Sequence, residues 1–230
     1  MDFGRETEEL EVSEIKMTKV KICCISSEAE AETAIKLGAS AIGLVGKMPS
    51  GPGVISDDVI KNIAAKYKGR IETFLLTSET SASGIARQYE NAGTDTIQIV
   101  DRIDTPVYEE LRKLIQGVRL VQVVHVIDDN SVTEALMYAK YADALLLDSG
   151  NPSADTKILG GTGKVHDWSL SKKIVADSGV PVYLAGGLNP GNVREAIENV
   201  RPYAVDVCSG LRENGRLSAY LTEEFFRNLI

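Results

Sequence analysis

Two residues in this chain stand where a side chain could move protons. Cys23 falls in the β-branched run TKVKICCI at 18–25, and Asp148 follows four apolar residues in ALLLDS at 144–149. A thiol and a carboxyl at the ends of two strands could act as general base and general acid for proton transfer at carbon, provided their protonation states are driven apart. An isolated strand cysteine is more often inert packing. An aspartate after an apolar run is costly unless it is hydrogen-bonded, capping or functional. Three glycine clusters suggest a second chemistry: Gly160, Gly161 and Gly163 in LGGTGK, Gly186 and Gly187 in LAGGL, and Gly210 after Ser209 in VCSG. Glycine lets backbone N–H groups approach an anion, so neighbouring loops of this kind can cradle a phosphate; tight strand-to-helix turns are the alternative use.

The elements that must position these groups alternate along the chain. Short β-branched runs at 18–25, 41–46, 71–77, 96–101, 119–126, 144–149, 182–187 and 203–209 are separated by longer amphipathic stretches, which predicts eight strand-then-helix units. Helix starts are marked by Ser56, Ser81 and Asp167 as caps and by Pro106 and Pro190 in first turns; Gly38, Gly93 and Gly179 mark helix ends. Nearly continuous apolar strands imply a parallel sheet covered on both faces, and eight units favour closure into an α/β fold, the (β/α)8 or TIM barrel. The expected organisation is one barrel domain over 18–230, preceded at 1–17 by a short Glu-rich extension, flexible or a peripheral helix. Chemistry in such a barrel sits at the C-terminal strand ends, which here gather Cys23, Cys24, the loop after Gly46, Asp101 with Arg102, His125 and Asp148. Strand alternation predicts that Cys24 packs behind the barrel wall. His125 reads more as a hydrogen-bonded structural histidine than a catalyst, and is kept as a mouth-lining candidate.

A net charge of −8 argues against a nucleic-acid partner while leaving a small anionic ligand compatible. Three cysteines supply neither a disulfide framework nor zinc spacing, which suits a reducing, cytoplasmic setting. No signal-peptide pattern and no apolar run of about 20 residues appear, so no membrane association is expected. No residue set suggests a metal or nucleotide cofactor, and a monomer or a homodimer is expected.

The segments VKICCIS (20–26), LLLDS (145–149), GGTGKVHDWSL (160–170), LAGGLNPGNVREAI (184–197) and RPYAVDVCSG (201–210) resemble, in order and spacing, those of the phosphoribosylanthranilate isomerase family. The resemblance implies a cofactor-free Amadori rearrangement of tryptophan biosynthesis, in which a small phosphorylated aminoaldose is opened and converted to an aminoketose. It also implies that Cys23 takes the C2 proton and Asp148 protonates the ring oxygen. Gly161, Gly163, Gly186, Gly187, Ser209 and Gly210 would hold the phosphate, with Lys21 and Asp206 near the substrate.

The chain departs from that family at the mouth. Cys24 stands where the family usually has Gly, Gly53 aligns with its carboxylate-gripping Arg, and Gln98, Ile99, Val100 and Asp101 replace Gln-Leu-His-Gly. Arg212 replaces a Glu in the eighth loop. One reading makes Arg102 or Arg212 the substitute for the missing guanidinium; the other leaves both as solvated surface charges. Three functions stay open: the family isomerase, a paralogue acting on another phosphosugar or N-glycoside, and a non-catalytic phosphate-binding barrel.

Overall fold

The computed structural model describes residues 18–49, 51–150 and 166–229; the extension at 1–17 and the glycines Gly160, Gly161 and Gly163 lie outside them. Eight parallel strands close into a barrel: β1 (Lys19–Ile22), β2 (Ala41–Val45), β3 (Glu72–Thr77), β4 (Thr96–Ile99), β5 (Arg119–His125), β6 (Ala144–Asp148), β7 (Val182–Leu184) and β8 (Ala204–Val207). The helices are α1 (Glu28–Lys36), α2 (Asp57–Tyr67), α3 (Ala82–Ala92), α4 (Thr105–Leu114), α5 (Asp129–Tyr138), α6 (Trp168–Asp177), α7 (Val193–Val200) and α8 (Ala219–Arg227). The fold is the expected (β/α)8 barrel.

Local chemistry explains where the elements begin and end. Ser56, Ser81 and Asp167 accept hydrogen bonds from the first-turn amides of α2, α3 and α6. Gly93 closes α3 in the left-handed region at φ 67°. Pro190 differs from expectation, since it stands in a turn before α7 rather than in its first turn. That turn is organised by Asn189, whose Oδ1 accepts from Gly191 N at 2.8 Å. A hairpin of β9 (Arg212–Glu213) and β10 (Arg216–Leu217) also separates β8 from α8. Its signal was Asn214–Gly215, both at positive φ, the pair that a two-residue hairpin turn favours.

Alternation along the strands separates two apolar layers. Ile22, Ile97, Leu120, Val124 and Leu147 face outward and pack with the helices. Phe74, Leu76, Val100, Val121, Val123, Leu146 and Tyr183 fill the barrel interior. Because partners in a parallel ladder point the same way, the pairing His125↔Asp148 puts both residues on the interior side of the rim.

Candidate active site

At the C-terminal end of the barrel a cleft is lined by Cys23, Asp148, Asp206, Gly186, Gly187 and Ser209, among others. Cys23 is buried just beyond β1, and its N–H still donates to Val207 O at 2.8 Å. Room for its thiol depends on Gly43 of β2, where an added Cβ would come within 2.9 Å of the Cys23 sulfur and 3.2 Å of Lys21 Nζ. Lys21 lies one layer down, fully buried, with Nζ 2.8 Å from Asp206 Oδ1 and 5.1 Å from the centre of the Phe74 ring. Burial is the largest single influence and opposes its charge, but the Asp206 carboxylate and the neighbouring Cys23 and Cys24 together raise the lysine pKa, so a fixed cation stands beneath the thiol.

Asp148 ends β6 with its carboxyl accepting from Ser149 N at 2.7 Å. Desolvation is the main reason its pKa rises to about 6, with the Asp206 charge acting the same way and the Ser149 amide opposing it. At pH 7 about a tenth of this carboxyl holds a proton, far more than an ordinary aspartate retains, as suits a general acid.

Another part of the cleft lining is backbone. Gly186 and Gly187 adopt φ of 84° and 67°. A Cβ on Gly186 would stand 2.9 Å from Ser149 N, so this approach requires glycine. Asn189 and Asn192 side-chain amides both donate to Gly187 O, at 3.1 and 3.0 Å, fixing that peptide. Gly210 does not line the cleft; it packs under Leu188 O, where a Cβ would come within 2.0 Å. Gly161 and Gly163 lie outside the described residues. Among the described residues, no group of three or more His, Cys, Asp or Glu side chains is arranged to hold a metal ion.

Neither arginine weighed as a substitute guanidinium lines the cleft. Arg102 is about half exposed and grips Glu134, with Nε 2.7 Å from Oε1 and Nη2 2.8 Å from Oε2. Arg212 is mostly buried and turned to Glu30 at 3.2 Å, to the Cys23 carbonyl at 3.3 Å, to the Cys24 carbonyl and to Gly215 O. Glu30 in turn accepts from the amides of Ser26 and Leu217, each at 2.9 Å, so this network ties the end of β1 to the β9–β10 hairpin. No local pattern announces this network, because Arg212 and Glu30 are 182 residues apart.

Cys24 corrects an expectation. It does not pack behind the wall: it lines the cleft and donates to Pro52 O at 3.6 Å. Alternation holds only within a strand, and β1 ends at Ile22 while Cys24 turns to φ 61°. The loop answers to it, because a Cβ on Gly53 would stand 2.5 Å from the Cys24 Cβ. A side chain at 24 and the bare backbone at 53 are therefore one steric arrangement. Gly53→Ala should destabilise by about 2–3 kcal/mol, combining overlap with strain at its φ of 78°. In a Cys24→Gly background the cost should drop to about 1 kcal/mol, the strain alone. Urea unfolding of the four proteins measures this coupling, and equal costs in both backgrounds would refute it.

On the interior face Gln98 Oε1 is buried without a hydrogen-bond partner, and the His125 ring, which does not line the cleft, lies against the Val100 backbone. Burial is the main cause that lowers His125 to a pKa of about 4, so the ring is neutral.

A closed (β/α)8 barrel with a thiol and a raised carboxyl between a glycine-built end and an apolar wall defines an enzyme site for proton transfer on an anionic small molecule. Residues 20–228 match the family model described as N-(5′-phosphoribosyl)anthranilate (PRA) isomerase. The N-(5′-phosphoribosyl)anthranilate isomerase of Methanocella arvoryzae is 31% identical over 214 residues, covering 93% of this chain and 98% of the relative. The crystal structure of phosphoribosyl anthranilate isomerase from Thermotoga maritima superposes with a TM-score of 0.77 at 29% identity, covering 93% and 98% of the two chains. A structure of such an isomerase in complex with reduced 1-(o-carboxyphenylamino)-1-deoxyribulose 5-phosphate gives 0.74 at 27% identity, with the same coverage. The chain belongs to the phosphoribosylanthranilate isomerase family.

Proposed function

We propose that this chain, an isomerase of tryptophan biosynthesis by its family, converts N-(5′-phosphoribosyl)anthranilate to the aminoketose using Asp148 as general acid and Cys23 as general base. The observation that carries the reading is the pair itself: Cys23 and Asp148 share one cleft, and the half-buried carboxyl is raised to about 6. Asp148 protonates the ring oxygen as the C1–O bond opens, and Cys23 then removes the C2 proton. The rearrangement is internally redox-neutral, since C1 is reduced as C2 is oxidised, so proton transfer suffices. Gly186, Gly187 and Ser209 supply the phosphate end, with Gly161 and Gly163 as further contributors by family resemblance. Asp206, locked by Lys21, presents carboxylate to the sugar hydroxyls. The aromatic half fits the apolar wall of Met48, Leu76, Val100, Val123 and Leu146, with Gln98 available to its polar groups. Cytoplasmic residence as a monomer or homodimer belongs to the same proposal; among the described residues no helix is long and apolar enough to cross a membrane.

A second reading, a paralogue with a different non-phosphate half, draws on the placement of Arg102 and Arg212 outside the cleft lining. Phosphoribosylanthranilate generated in situ separates the two. Fluorescence decay at about 1 per second or faster, with Cys23→Ser reduced at least ~100-fold, is the expected result. Absence of turnover in folded protein whose melting temperature still rises with inorganic phosphate would favour the paralogue.

A further inference from the structure

The cleft holds two thiols that the proton transfers do not use. Cys24 and Cys208 line it beside Cys23. Pairing of Ile22 with Val207 brings β1 and β8 to the rim together, so Cys23 and Cys208 emerge side by side on the interior face. The φ of 61° at Cys24 turns its side chain into the same cleft, where its thiol lies near enough to interact with both Cys208 and Cys23. A non-glycine residue in that backbone region is strained, and the strain holds a sulfur in the cleft.

The two extra thiols are unequal. Hydrogen bonding from Cys24 is the main cause that lowers the Cys208 pKa, and the Arg212 guanidinium beside it acts the same way. Cys24 is pushed up, first by its hydrogen bond to Cys208, then by that to Cys23 and by burial. Cys208 is also the more accessible, being partly exposed where Cys23 and Cys24 are buried. An accessible thiol of lowered pKa that lines one cleft with a second thiol is the arrangement in which an oxidised sulfur is captured by its neighbour before it is oxidised further.

We propose that Cys208 and Cys24 form a peroxide-reactive pair, in which Cys208 is oxidised by hydrogen peroxide and Cys24 resolves it to a disulfide. The Cys208 thiolate attacks the O–O bond: an S–O bond forms, the O–O bond breaks, and hydroxide leaves to be protonated as water. Cys208 is thereby oxidised to the sulfenic acid and the peroxide is reduced. Cys24 then attacks that sulfur; the S–S bond forms, the S–O bond breaks, and the departing oxygen leaves as water with the Cys24 proton. One peroxide and two thiols give one disulfide and two waters. The disulfide commits the Cys24 sulfur to Cys208 and away from Pro52 O, altering the cleft beside Cys23 while leaving Cys23 reduced.

The test uses the full, reduced chain treated with one equivalent of hydrogen peroxide and read by intact mass and non-reducing peptide mapping, a readout independent of any substrate. The expected product has lost two hydrogens, links the Cys24 and Cys208 peptides, carries free Cys23, and reverts with dithiothreitol. Cys24→Ser should instead accumulate a dimedone-reactive sulfenic acid at Cys208, and Cys208→Ser should consume peroxide about tenfold more slowly or less. A disulfide that contains Cys23, irreversible sulfinic acid as the main product, or first oxidation at Cys23 would each overturn the proposal. The wild-type map decides this even where a variant folds poorly.

Discussion

Asp148→Asn should lower kcat by about 10²–10⁴-fold and at the same time stabilise the fold at pH 8. Both effects come from one half-buried carboxyl. Desolvation raises its pKa from the ordinary 3.8 to about 6, so the folded chain holds this proton more tightly than the unfolded chain. The stability contributed by that protonation is fully present below pH 3.8 and is lost as the pH rises through about 6. At pH 8 the folded state therefore carries an ionised group at a cost. The whole shift would correspond to ~3 kcal/mol, but the side chain partly reaches solvent, so ~1–2 kcal/mol is expected. Asparagine keeps the shape, keeps an acceptor for Ser149 N and removes the charge. Urea unfolding at pH 8 and pH 4 should show a gain for the variant that closes at the lower pH. A pH-independent difference would refute the raised carboxyl, and near-normal turnover would refute its role as the acid.

Lys21→Met should destabilise by about 3–5 kcal/mol, because it leaves the Asp206 carboxylate buried without its counter-charge. Truncating one partner of a buried pair exposes the desolvation cost of the other, which the pair had been offsetting. Neutralising Asp206 as well should recover much of the loss: Lys21→Met with Asp206→Asn should be more stable than Lys21→Met alone by at least ~1–2 kcal/mol. Chemical denaturation of the four proteins at unchanged m-value measures the coupling. Simple additivity would mean that the 2.8 Å contact carries little energy. Activity should fall in both altered proteins, since the cation beneath Cys23 and the carboxylate lining the cleft are lost.

The eight strand-then-helix units were legible from periodicity, and the caps at Ser56, Ser81 and Asp167 fall where the residue types indicated. These are properties of neighbours in sequence: a cap bonds within three residues, and an apolar run declares its burial by its own composition. The barrel rule then carried Cys23, Asp148, Gly186, Gly187 and Ser209 to one cleft. What neighbouring residues could not fix, the sequence did not reveal. Cys24 escaped because alternation fails where a strand ends and the backbone turns to positive φ. The charge of Arg102 and Arg212 could be read, but not their engagement with Glu134 and Glu30, 32 and 182 residues away in the chain. Gly43 looked like an ordinary strand residue until β1 and β2 set the Cys23 sulfur and Lys21 Nζ against it. Sequence determined the elements and the chemical types at their ends; closure of the barrel decided which of those groups touch, because register between strands is a property of the packed sheet and not of any one strand.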